Sequence, residues 1–145
     1  PAYISGKITP REQDHSKATF TRLIKKENGF ILPRFISACL QGVSLRAQWQ
    51  IPFMKDYSLV PNAYSLERFI RAMQPWPISW TYVQLNSKLK IKDLKRLKIL
   101  KAHSEKPSAP SIKSYVLHLD EVQLEGKNPV SWEQFKDAYT TATFE

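Results

Sequence analysis

Residues Ser65 to Trp80, SLERFIRAMQPWPISW, constrain the fold more than any other stretch of this chain. Leu66, Phe69, Ile70 and Met73 recur at i, i+3, i+4 and i+7, which puts four apolar side chains on one helical face. Ser65 stands before them, and its hydroxyl can accept from the free N–H groups of a first turn. Pro75 has no N–H and pushes its predecessor out of the helical region, so the helix is expected over 65–74 and no further. From Trp80 to Leu85 the residues are mostly aromatic and β-branched, the composition of a strand. A helix that runs within a few residues into a strand must pack its apolar face on the sheet that strand builds.

The rest of the chain supplies strands for such a sheet. Asn86-Ser87 suits a turn, and Lys88 to Lys92 then alternates strictly, with Leu89 and Ile91 opposite Lys88, Lys90 and Lys92. Over 95–102 Leu97 and Ile99 face in; parity fails at Leu100-Lys101, where a bulge or strand end is expected. Residues 104–111, with Pro107 and Pro110, read as a loop, 115–119 and 121–125 as the last strands, and Gly126-Lys127 as a turn. Ser131 with Gln134 three residues on is a capping box, with Trp132, Phe135 and Tyr139 as the buried face of a final helix. Upstream, Pro33 to Leu40 reads as a short helix with Phe35, Ile36, Cys39 and Leu40 on one face and Gly42 to end it. Residues 43–51 are expected to hold a strand. The expected class is mainly β with peripheral helices (α+β), a small barrel opened by a helix.

Three motifs resemble one family. LERFIRAMQPWPISW is similar to the opening of the C-terminal domain of methionyl-tRNA formyltransferases, where a helix ends in Arg-Ala-x-x-Pro-Trp-Pro. Ala18-Thr19-Phe20, followed by Leu23-Ile24-Lys25-Lys26-Glu27-Asn28-Gly29-Phe30-Ile31, resembles that family's interdomain linker. Val122-Gln123-Leu124-Glu125-Gly126-Lys127, then Val130-Ser131-Trp132 and Phe135, resembles its final pattern. The resemblance implies an OB-like Greek-key barrel at 65–145, an interdomain linker at 1–32 and, where the family has a short connection, a helical and irregular insert at 33–64. Residues 103–113 look like a loop where the family has a longer hairpin. The resemblance also implies transfer of a formyl group from 10-formyltetrahydrofolate to methionyl-tRNA by a separate N-terminal catalytic domain. This chain would hold the initiator tRNA as a monomer. Two alternatives stay open: the C-terminal domain of another folate-dependent formyltransferase or hydrolase, and a non-catalytic structural or dimerisation module.

Charge bears on that choice. The net charge is +9, and Asn86 to Lys106 alone carries eight basic residues against Asp93 and Glu105, a net +6. A clustered excess of this kind suits a polyanion. Alternate strand residues lie roughly 6.5–7 Å apart, close to the spacing of successive phosphates, so Lys88, Lys90 and Lys92 can track a nucleic-acid backbone; the plainer reading is a charged edge that discourages strand pairing. Lys95, Arg96 and Lys98 extend this cluster. Arg22, Lys25 and Lys26 form a second one in the linker, at positions where the resemblance implies contact with tRNA. Trp76 and Trp80 could stack on bases, but the flanking prolines favour core packing. Arg68 and Arg71 read as a solvated helix face.

Catalysis is not expected in this chain. The resemblance places it in a Rossmann-like domain with an Asn, a His and an Asp, and no Asn-x-His pattern exists here. No Gly-rich loop could cradle a phosphate. Asp120 and Glu121, adjacent on a strand, point to opposite faces. His15, His103, His118 and Cys39 have no metal-ligand spacing, so neither a metal nor a bound cofactor is expected. The single Cys39 cannot form an internal disulfide, PAYISGKITP has no long apolar core, and no run is apolar enough to cross a membrane. A cytoplasmic protein is the expectation.

Overall fold

The computed structural model describes residues 12, 14–18, 23–51, 53–54, 58–86, 92–106 and 114–144, apart from the side chains of Asn86 and Lys92. Short 3-10 turns at His15–Lys17 and Lys26–Gly29 precede the first helix, α1 (Pro33–Leu40). Pro33 occupies its first turn, where a missing N–H costs nothing. Gly42, at φ 67°, ends it: Val43 N–H reaches the Ala38 carbonyl and Gly42 N–H the Cys39 carbonyl, which satisfies two otherwise free acceptors. The strand expected over 43–51 shrinks to β1 (Trp49–Gln50), paired with β2 (Ser58–Leu59).

The helix expected over 65–74 is α2 (Ala63–Ala72). Its cap is Asn62 rather than Ser65. The Asn62 Oδ1 accepts from Ser65 N–H at 2.9 Å while Ser65 Oγ accepts from Asn62 N–H at 3.1 Å. Ser65 therefore closes a reciprocal capping box from inside the first turn. Leu66, Phe69, Ile70 and Met73 are buried as the spacing requires.

The main sheet is antiparallel, with β3 (Ser79–Asn86), β4 (Lys92–Glu105), β5 (Val116–Leu124) and β6 (Val130–Ser131) in sequential order. The last helix, α3 (Trp132–Ala138), is capped by Ser131 with Gln134 as expected. Beyond α3 the chain returns to the first strand, where Thr143 and Gln84 exchange both backbone bonds, at 2.8 and 3.0 Å. That return from the far edge to beside the first strand is the connection a Greek key makes. The same edge is also met at Trp80, by Phe30 in a parallel bridge. Among the described residues the protein is thus mainly β, with three α-helices on its periphery.

Two strand limits differ from expectation. The last strands are one, β5, and the β4–β5 hairpin reaches Glu105 opposite Val116, so residues 103–105 are ladder and not loop. The sequence hides this because Ser, Glu and Lys near the prolines look like turn residues, whereas cross-strand pairing carries the ladder on. The bulge does fall at Leu100, between the pairs Ile99–Val122 and Lys101–Glu121. Its loosened carbonyls are satisfied from outside the sheet: Gln74 Nε2, just past α2, donates to Leu100 O at 3.0 Å and to Ile99 O at 3.3 Å. One core joins both halves of the chain, with Ile31, Phe35, Ile36 and Trp49 packed among Leu66, Ile70, Val83, Leu97, Ile99, Leu117, Val122 and Phe135.

Candidate nucleic-acid interface

The pleat of β4 sorts the basic cluster into two groups. Leu97 and Ile99 are fully buried, and Lys95 shares their parity. Its Nζ lies 3.3 Å from Asp93. Arg96 and Lys98 have the opposite parity and stand on the outer face, across from Tyr82 and Trp80 on β3. The structure therefore places Lys95 on the face opposite Arg96 and Lys98, because adjacent strand residues point to opposite faces. Lys88, Lys90 and Arg22 lie outside the described residues; Lys92 is the first residue of β4, paired with Asn86.

On the outer face, the Arg96 guanidinium carbon sits 4.4 Å from the Trp80 ring centre, within cation–π range. Phe30 packs on the same ring at 4.7 Å, and Tyr82 meets it edge-on at 5.3 Å. The Trp80 indole N–H donates to the Lys26 carbonyl at 2.9 Å. This bond fastens the Lys26–Gly29 turn against β3 and brings Lys26 to the rim where Arg96 and Lys98 stand. Lys25 is exposed on that turn, its backbone N–H held by Asn28 Oδ1 at 2.6 Å. Lys98 Nζ lies 3.4 Å from Gln123 Oε1 on β5. Among the described residues neither Arg96 nor Lys98 is in an ion pair.

These groups open on one shallow depression of about 280 Å³, lined by Lys26, Trp76, Trp80, Arg96, Lys98 and Gln123 among others. Trp76 is 55% exposed there. The expectation that it is core is wrong. Pro77 is buried and Pro75 exposed, so the prolines fix the turn and hold the indole over the depression instead of under it. Trp80 is half-buried, one face against Phe30 and the other under Arg96. Sequence reasoning named Trp76 and Trp80 as aromatics that could stack on bases but favoured the core for both, and it did not name Gln123; the alternation of Trp80 with buried Thr81 was the signal that puts the Trp80 ring on the outer face.

The depression is smaller than most small-molecule pockets, roughly 300–1,000 Å³. Burial pushes the Cys39 thiol up to about 12, so it is protonated at neutral pH and unsuited to nucleophilic attack. Arg68 lies over Tyr64 and Arg71 is paired with Glu67 at 2.6 Å, so both belong to the solvated helix face. His103 and His118, far apart in sequence, are cross-strand partners on β4 and β5.

The family model described as formyl transferase, C-terminal domain, matches residues 60–140, more than half of the chain. The chain belongs to this family. A methionyl-tRNA formyltransferase of Chloroflexus aurantiacus is 35% identical over 82 residues, 57% of this formyl transferase C-terminal domain chain and 18% of that protein. One from Roseiflexus castenholzii is 34% identical over 76 residues, 52% of this chain and 16% of the relative. One from Clostridium novyi is 25% identical over 148 residues, covering 91% of this chain and 37% of its own length. The chain thus spans well under half of the curated relatives it matches. No described helix of this family member is long and apolar enough to cross a membrane.

Proposed function

We propose that this chain is the RNA-holding part of a methionyl-tRNA formyltransferase, positioning the initiator methionyl-tRNA for a catalytic domain that uses 10-formyltetrahydrofolate. One observation carries the reading. Arg96, Lys98 and Lys26, from strand and linker, meet around the exposed Trp76 on one face. Cations set around an open aromatic surface suit a nucleic acid, with phosphates on the cations and a base or ribose on the ring. A linker at 1–32, an insert at 33–64 and a barrel at 65–145 complete this reading, with Arg22, Lys88, Lys90 and Lys92 as further phosphate contacts. Holding the tRNA by its backbone raises the effective concentration of the acceptor end at the catalytic domain without bond-making here. A free folate or sugar-nucleotide substrate would need an enclosed pocket, which the shallow depression is not.

The test is tRNA affinity across a salt series. Replacing Lys26, Arg96 and Lys98 together with Ser should flatten the slope of log affinity against log salt by roughly two to three. A Lys95→Ser control, on the other face of β4, should leave the slope unchanged. Replacing Lys88, Lys90 and Lys92 together reads the neighbouring row in the same assay, and Trp76→Ala should weaken binding by about 1–3 kcal/mol with little change of slope. Superimposable curves for wild type and the Lys26/Arg96/Lys98 variant would reject this face as the interface.

A further inference from the structure

At the far end of the β4–β5 hairpin, seven residues along β4 from Arg96, His103 and His118 stand directly opposite each other. Their rings are stacked, 4.9 Å between centres and 11° from parallel. His118 Nε2 lies 3.9 Å from Glu105 Oε2, and one ligand atom each from His103, Glu105 and His118 lie within 4.8 Å of one another. His103 Nδ1 is 2.8 Å from Asp120 Oδ1. These residues are two imidazoles, one carboxylate within reach and a second carboxylate that holds one ring by its other nitrogen.

We propose that His103, His118 and Glu105 form a binding site for a first-row divalent metal ion of the zinc type, with Asp120 as the positioning residue of His103. The donor set is what zinc accepts, nitrogen and carboxylate oxygen, with one position left to water. Tetrahedral bonds near 2.1 Å put ligand atoms roughly 3.4 Å apart. Closing from within 4.8 Å takes small side-chain rotations, and these side chains are free to make them, because both histidines and Glu105 are substantially exposed. Asp120 supplies the outer hydrogen bond that fixes the tautomer of a ligating histidine and leaves Nε2 for the metal. Two things favour a site over a chance surface pair. Register fixes the two imidazoles in direct opposition, and the paired irregularity at Leu100 and Asp120 shifts which side chains face in, leaving Leu117 and Leu119 buried and His103 and His118 outside. Glu133 and Lys136 of α3 line the same depression as His103, His118 and Asp120, so a bound ion would also tie the hairpin end to the region of the last helix.

Titration of the full chain with Zn²⁺ by calorimetry, and with Co²⁺ by visible absorption, tests the site. Wild type should bind one ion per chain, and the Co²⁺ spectrum should show the intense bands of a four-coordinate complex. His103→Gln and His118→Gln should each weaken binding at least 100-fold, and Asp120→Asn should weaken it by about 10–100-fold. His15→Gln should change nothing. Zinc should raise the melting temperature of wild type but not of the double His103/His118 variant, whose fold is checked by near-ultraviolet circular dichroism. No saturable one-to-one binding, or binding that survives both histidine variants as an adventitious ion elsewhere, would overturn the proposal.

Discussion

Gly29 shows how a single residue ties the Lys26–Gly29 turn to the start of β3. A Cβ on Gly29 would collide with the backbone carbonyl of Ile78, and backbone cannot swing aside as a long side chain can. Ile78 is itself held at φ 67°, a conformation that a β-branched residue adopts only under constraint from its surroundings. Two segments 49 positions apart therefore touch backbone to backbone. Gly29→Ala should cost about 1–3 kcal/mol, as overpacking does, read from the midpoint of a urea titration with unchanged m-value. It should also weaken RNA binding, because Lys26 rides on the same turn. A change within a few tenths of a kilocalorie would mean that the turn simply lifts off. At Cys39 the sign of the pH effect follows from burial. The folded thiol ionises only near 12, the unfolded one near 8.5, so the thiol's contribution to stability is full below about pH 8.5 and is lost as pH rises towards 12.

At the scale of elements, packing is divided between the two faces of β4 and the two ends of α2. The start of α2 rests on the Asn62–Ser65 box, and Asn62→Ala should destabilise the fold by about 0.5–2 kcal/mol. Thermal unfolding with and without a second change, Ser65→Ala, would show the pair acting as a unit, since each side chain accepts from the other's backbone. The end of α2 passes into Gln74, which donates to the bulge carbonyls of β4, so helix and bulge hold each other in place. The bulge and the compensating shift at Asp120 leave the pairing of the hairpin end in register and change its faces, so that Leu117 and Leu119 are buried and His103 is exposed. Downstream of it, register makes the histidine pair; upstream, unbroken alternation puts Arg96 and Lys98 out and Leu97 and Ile99 in.

For the whole molecule, the closed edge of β3 is the organising fact. Phe30 from the linker and Thr143 from the chain's far end share that edge, so the first strand is covered by segments from both ends of the described chain. Exposed edges invite pairing with other chains, and this one is covered. The same arrangement puts Lys26 beside Arg96, so the depression next to Trp76 is lined from both segments. Among the described residues the one thiol is buried and protonated, and the depression beside Trp76 is open and shallow. Incubated alone with 10-formyltetrahydrofolate and methionyl-tRNA, the chain should yield formylmethionine only at background. Turnover that a single substitution abolishes would reveal a site of another kind.

Local patterns determined much of this. The apolar spacing of Leu66, Phe69, Ile70 and Met73, the stop at Pro75, the Pro33 start and Gly42 end of α1, the Ser131–Gln134 cap and the inward Leu97 and Ile99 are all legible in the sequence. Each depends on residues within one or two turns or along one strand, where backbone geometry leaves little choice. Tertiary structure decided the rest. Trp76 is exposed because the turn around it packs on Pro77, while Lys95 leaves the basic face because register, not composition, sorts a strand's side chains. His103 and His118 meet because the hairpin register pairs residues 15 apart. Such outcomes depend on pairing between distant segments, whose partners no local period specifies.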